Sequence, residues 1–306
     1  MFYLQKWFGK RTARGYLQPK CQKFSRLFPK SVVIEQVATG FQFTEGPVWM
    51  TEDQCLLFSD IPANKIYKLN AARQAAVFRE PSHHSNGLTR DGKGRLIACE
   101  HGSRCITRTE LDGTLTVFSD RFGTQKLNSP NDVIVKSDGA IYFTDPPYGI
   151  QPEQQELPFQ GVYRLSPTGQ DLTVVADDFV KPNGLALSPD EQTLYIADSS
   201  ERCHIRAFDV QADGTLTNCR VFHTMKAPGA TGNPDGMKVD REGRLYATGP
   251  GGVWVLEPNG THLGTIVLPE QPANCAWGDA DWQSLYITAR TSLYKIRVNT
   301  PGIAVP

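Results

Sequence analysis

Asn128-Ser-Pro-Asn-Asp-Val-Ile-Val-Lys-Ser-Asp-Gly-Ala-Ile-Tyr-Phe-Thr-Asp145 reads as a β-hairpin with polar residues at its mouth. Val133-Ile-Val and Ile141-Tyr-Phe are built from β-forming side chains, and Ser137-Asp-Gly139 between them carries the Asp-Gly signal of a tight turn. The returning strand recurs as Leu56-Leu-Phe-Ser-Asp60, Leu96-Ile-Ala-Cys-Glu100, Leu194-Tyr-Ile-Ala-Asp198, Leu245-Tyr-Ala-Thr248 and Leu285-Tyr-Ile-Thr288. Six copies about 40 to 50 residues apart have the spacing of propeller blades.

Third strands follow most copies, as in Lys65-Ile-Tyr-Lys-Leu69 and Gly161-Val-Tyr-Arg-Leu165, and weaker fourth strands include Ala75-Ala-Val-Phe78 and Leu172-Thr-Val-Val175. The pattern predicts an all-β, six-bladed β-propeller with four-stranded antiparallel blades. The last hairpin ends near Val298 with no fourth strand after it. An open blade edge invites aggregation, so Ser31-Val-Val-Ile-Glu-Gln-Val37 is expected to supply the missing outer strand and close the ring. The Gln-, Glu- and Pro-rich segment from Gln151 to Gln160 reads as a surface loop near a pocket mouth.

Residues 1–30 carry eight basic and no acidic side chains, leaving −8 on residues 31–306 in a chain of zero net charge. We therefore divide the chain into a basic extension, 1–30, and a propeller, 31–306. The extension reads as a partly helical segment lying on the domain surface with Trp7, Phe8, Phe24 and Phe28 as packing residues; an organelle presequence or a membrane-touching arm is the other reading. Zero net charge gives no field for nucleic acid, no apolar run is long enough to span a bilayer, and the start lacks the apolar core of a secretory signal. The seven scattered cysteines, without a C-x-x-C pair, suit reduced thiols better than disulfides or zinc. The expected setting is cytoplasmic, or an organelle if residues 1–30 target one. Oligomeric state is not legible.

Aligning the hairpins on their turns puts an oxygen-bearing side chain at one repeat position: Glu45, Asn86, Asn131, Asn183, Asp235 and Asn274. In a propeller, equivalent positions at the start of the innermost strands converge on the central channel. Each residue alone could be an ordinary turn former, since Asn and Asp tolerate left-handed backbone. Turn chemistry does not select Glu at the first position, however. A ring of carboxylate and amide oxygens suits a hard divalent cation, calcium first, with zinc or manganese as alternatives.

Glu45-Gly-Pro-Val-Trp49, Asn128-Ser-Pro-Asn-Asp132, Phe143-Thr-Asp-Pro-Pro-Tyr-Gly149, Lys181-Pro-Asn-Gly-Leu185, Asn233-Pro-Asp-Gly-Met237 and Gly249-Pro-Gly-Gly-Val-Trp254 together resemble the SMP-30/gluconolactonase/luciferin-regenerating family, from about Val37 to Arg297. The resemblance implies a channel-bound divalent metal and hydrolysis of a sugar lactone such as glucono-1,5-lactone. It makes Glu45, Asn183 and Asp235 metal ligands, Asn131 a further ligand or substrate contact, and Asp235 the acid/base. Some animal members have an arginine where this chain has Ser129, so their sugar contacts do not transfer whole.

Asn86, Asn274, His101 and Tyr148 are the further candidates for substrate contact, the last two from loops at strand ends. There is no G-x-S-x-G elbow and no Ser/His/Asp order, which leaves a metal-polarised carbonyl as the expected chemistry. Gly249-Pro-Gly-Gly252 lacks the Lys-Ser/Thr of a phosphate loop. Two alternatives remain at this level: calcium-dependent organophosphate or aryl-ester hydrolysis on the same scaffold, and a non-catalytic binding propeller.

Overall fold

The computed structural model describes residues 15–305. Six four-stranded antiparallel sheets follow one another along the chain as blades of a β-propeller. Blade one runs through Thr44–Met50, Cys55–Asp60, Lys65–Leu69 and Ala75–Arg79; blade three through Val133–Val135, Ile141–Asp145, Gln160–Leu165 and Leu172–Phe179. The hairpin that decided the fold pairs Val133 with Phe143 and Val135 with Ile141, closed by a turn in which the Gly139 N–H donates to the Lys136 carbonyl at 2.8 Å.

Inner strands are buried almost throughout, because each blade is covered on both faces by its neighbours. Outer strands alternate or lie exposed, which is why their sequences carry the weaker signal. Cross-strand aromatic pairs fill the same place in two blades: Phe58 stacks on Tyr67 at 5.7 Å and Phe143 on Tyr163 at 5.1 Å.

The ring closes through an N-terminal strand, Glu35–Thr39, paired antiparallel with Ser292–Arg297. It begins later than the 31–37 expected from apolar content alone. A tight bend, with the Val32 N–H on the Pro29 carbonyl, takes up the start of that stretch, and a bulge between Gln36 and Ala38 sets the register.

Residues 15–30 also lie against the propeller. Tyr16–Pro19 adds a fifth strand to blade five, beside His262–Val267. The single α-helix among the described residues, Gln22–Arg26, then buries Phe24 where Gly264 leaves room; a Cβ there would stand 2.7 Å from the Phe24 ring. Phe28 meets Phe24 edge-on at 5.1 Å, and Asn299 donates its N–H to the Leu27 carbonyl at 2.7 Å. Trp7 and Phe8 lie outside the described residues.

Cys55, Cys99, Cys105, Cys203 and Cys275 are buried, Cys21 and Cys219 exposed, and all are free. Among the described residues no helix is long and apolar enough to cross a membrane.

Candidate active site

Three of the six second strands end in Asp, at Asp60, Asp145 and Asp198, and these carboxylates hold the mouths beside them. Asp60 accepts the backbone N–H groups of Gln42 and Phe43, both at 3.0 Å; Asp145 those of Asn128 and Ser129, both at 2.7 Å; Asp198 those of Val180 and Lys181, at 3.3 and 3.1 Å. In each case the clamped backbone lies just upstream of a mouth residue, respectively Glu45, Asn131 and Asn183. A carboxylate has the acceptor capacity for two converging donors, so one side chain fixes a whole loop. Burial pushes the Asp145 carboxyl up to about 7 against the pull of its two donors. In Asp198, burial is outweighed by donors from Ser200, Val180 and Lys181, and the carboxyl stays below its usual range.

Adjacent mouths are joined by hydroxyls at the next-to-last position of three second strands. Ser59 Oγ donates to the Asn86 carbonyl and Thr144 Oγ1 to the Asn183 carbonyl, both at 2.8 Å, and Thr248 Oγ1 donates to the Ala273 carbonyl at 2.7 Å. The glycines after the mouth residues let these neighbours approach. A Cβ on Gly46 would lie 2.0 Å from the Asn86 carbonyl oxygen, on Gly87 2.6 Å from that of Asn131, and on Gly184 2.2 Å from that of Asp235. Of the three, only Gly46 has left-handed backbone, φ 51°. Close approach, more than turn geometry, therefore selects glycine here. Gly184→Ala is expected to lower thermal stability and to cost roughly a hundredfold in kcat/KM, the effect of a misplacement of about 1 Å; an unchanged melting temperature and rate would exclude this packing role.

The mouths open on a cavity of about 270 Å³ lined by Glu45, Asn86, Asn131, Asn183 and Asp235. His101 and Tyr148 also form its wall, together with Ser199, Asn233 and Gln271. Asn274 does not line it; the side chain sits against Glu45 on the same ring and accepts the Cys275 N–H at 2.8 Å. His83 and His84 stay out of the cavity, and His84 Nδ1 lies 2.8 Å from the Ile61 carbonyl.

Three amides run head to tail around one side. Asn86 Nδ2 donates to Asn131 Oδ1 and Asn131 Nδ2 to Asn183 Oδ1, both at 2.6 Å; Asn183 Nδ2 donates to Ser199 Oγ at 2.9 Å, and Ser199 donates to the Pro234 carbonyl. This chain fixes the side-chain oxygens of Asn131 and Asn183 and leaves each a second lone pair. Asn86 Nδ2 also lies 3.3 Å from His101 Nε2.

Burial raises the Glu45 carboxyl to about 7 and pushes Asp235 well above the carboxylate range, with the charge of Glu45 adding to the effect on Asp235. Burial also lowers His101 to about 4, keeping its ring neutral, and raises the Tyr148 phenol to about 12 beside Asp235, Ser199 and Asn183. Two carboxylates sharing one cavity raise each other's pKa, and a cation between them would relieve that repulsion. Among the described residues no three His, Cys, Asp or Glu side chains form a ready-made metal group. A metal here must take amide oxygens beside Glu45 and Asp235, and Asn183 and Asn131 present them. This all-oxygen set fits a hard dication, whose charge would reverse the upward pKa shifts.

Sequence reasoning missed Ser199, which ends the amide chain, and Asp132, buried beside the ring and raised by desolvation. Asp132 reads as half of an Asn-Asp turn, and Ser199 as the residue after a strand; carrying the repeat alignment one residue past Asn131 and past Asp198 is the signal that finds them.

The description SMP-30/Gluconolactonase/LRE-like region matches residues 43–291. The chain belongs to this family. It is similar to the gluconolactonase of Zymomonas mobilis, 34% identical over 323 aligned residues covering 96% of this chain and 90% of that protein. The pentonolactonase XacC of Haloferax volcanii is 26% identical, with 84% of each chain covered. The structure of a gluconolactonase from Xanthomonas campestris superposes with a TM-score of 0.85 at 34% identity, covering 95% of this chain and 99% of that one. The family thus has lactone-opening members with this propeller, and the first-strand mouths fall inside the matched span.

Proposed function

We propose that the mouth cavity hydrolyses a sugar lactone, such as glucono-1,5-lactone, to the aldonic acid, with Asp235 as acid/base. Glu45, Asn183 and Asp235 would hold a divalent cation, calcium ahead of zinc or manganese, and Asn131 adds a ligand or a substrate contact. That the chain is a lactone-hydrolysing enzyme follows from its family and from its likeness over nearly full length to a gluconolactonase. The observation that carries the finer reading is the meeting of two carboxylates and three hydrogen-bonded amides in one cavity.

When bound there, the cation supplies Lewis-acid polarisation of the lactone carbonyl and countercharge for the oxyanion. Asn131 and Asn183, locked by the amide chain, offer fixed oxygens with little reorganisation. Asn86, neutral His101 and the Tyr148 hydroxyl present polar groups to the sugar hydroxyls. Asp235 takes a proton from the attacking water and returns it to the ring oxygen as the C–O bond breaks. Water is then added across the ester with no net change at the carboxylate.

The test is turnover of glucono-1,5-lactone beside paraoxon and phenyl acetate, before and after EDTA treatment. Lactone turnover that EDTA abolishes and calcium restores is expected. Preference for paraoxon or phenyl acetate would favour the ester-hydrolase alternative, and binding of metal without turnover of any of the three would favour a non-catalytic propeller.

A further inference from the structure

Below the mouths the channel has two more levels. The residue after each mouth side chain is Gly46, Gly87, Asp132, Gly184, Gly236 or Cys275, and two further on stands Val48, Thr89, Ile134, Ala186, Lys238 or Trp277. Thr89, Ile134, Ala186, Lys238 and Trp277 line a second cavity, of about 450 Å³, at the far end of the channel. Val48 joins Lys238 in the adjoining space. The upper of these levels therefore holds a single carboxylate and the lower a single ammonium.

Asp132 is 2% exposed, its Oδ1 accepts the Val133 N–H at 3.0 Å, and its Oδ2 has no hydrogen-bond partner among the described residues. Gly87 makes room for it, since a Cβ there would stand 2.7 Å from Asp132 Oδ1. Lys238 Nζ donates to the Met237 carbonyl at 3.0 Å and acts through space on both Asp132 and Glu45. When Glu45, Asp132 and Asp235 are all ionised, Lys238 offsets one of their three charges and two remain. One dication balances them.

We propose that Asp132 and Lys238 form an ionic layer beneath the site that sets its dication affinity by charge, Asp132 strengthening and Lys238 weakening the hold. The inference rests on the cation reading given above. Neither residue lines the mouth cavity, so each is a positioning residue acting on the ligands' field. Asp132 is buried and Lys238 half-buried, and charges shielded from bulk water interact more strongly than fully exposed ones, which makes single-charge changes measurable.

The experiment titrates calcium into metal-stripped protein by calorimetry, with melting temperature followed in parallel. K238M is expected to bind roughly tenfold more tightly and D132N roughly tenfold more weakly than the parent, with the double variant within about threefold of it. K238R, which keeps the charge, should bind like the parent. If K238M does not fold without metal, K238Q and D132N carry the same comparison. Calcium binding by the parent and its loss in N183A, with K238Q and D132N unchanged, overturns the charge layer alone. A D132N loss that K238M does not restore makes Asp132 a direct ligand and also overturns it. No binding by the parent overturns the cation reading itself.

Discussion

Asp235→Asn is expected to lower kcat for lactone hydrolysis by roughly a hundred- to ten-thousand-fold, the range that a positioned acid/base contributes. The substitution keeps the side-chain shape and the backbone bonds that hold this mouth: the Asp235 N–H donates to the Thr248 carbonyl at 3.1 Å and the Gly236 N–H to that of Ala273 at 2.9 Å. Removing one of two mutually repelling buried carboxylates should leave the metal-free protein at least as stable as the parent. Activity and stability then move apart, which separates a chemical role from a structural one. Full turnover by Asp235→Asn in protein that still binds calcium would end the acid/base assignment, and a fall in melting temperature that matches the lost activity would point to folding instead.

Asp145→Ala is expected to be the most destabilising change at the mouths. It leaves the Asn128 and Ser129 N–H groups without their acceptor in a region closed to water. Each orphaned donor costs about 1–3 kcal/mol, so a loss of about 4 kcal/mol in denaturant unfolding is expected. The loop also carries Asn131, the middle of the amide chain, so remaining folded protein should lose most of its activity. Asp145→Asn keeps one acceptor oxygen and should lose about half as much stability. Equal stability of Asp145→Ala and the parent would show that the clamp does not hold the loop.

The ring of Glu45, Asn86, Asn131, Asn183, Asp235 and Asn274 was legible because the blade repeats: residues aligned on six turns must occupy equivalent places around one axis. The same alignment hides what differs between blades. Asn274 takes its place on the ring but turns to Glu45 and away from the cavity. Lys238 looks like an outward-facing strand residue, since Met237-Lys-Val239 alternates apolar and polar side chains. Only closure of the ring makes that alternate face the wall of a channel. Similarly, the glycine after Glu45, Asn86, Asn183 and Asp235 reads as a turn residue until the neighbouring mouth stands where its Cβ would go.

Local patterning by itself determined the number of blades, the hairpins, the strand that latches the ends and the oxygen-rich mouths, because alternation and turn chemistry act over a few residues. The tertiary structure alone decided what distant segments do to one another. It laid Tyr16–Pro19 along blade five, and it brought the tail to the far end of the channel, where Ile303 donates its N–H to the Val239 carbonyl and the Val305 carbonyl accepts from Arg90. It also set Asp132 and Lys238 beneath the mouths. The physical reason is that burial, shared charge and close contact across blades are properties of the closed ring, and no stretch of chain carries them until its neighbours are in place.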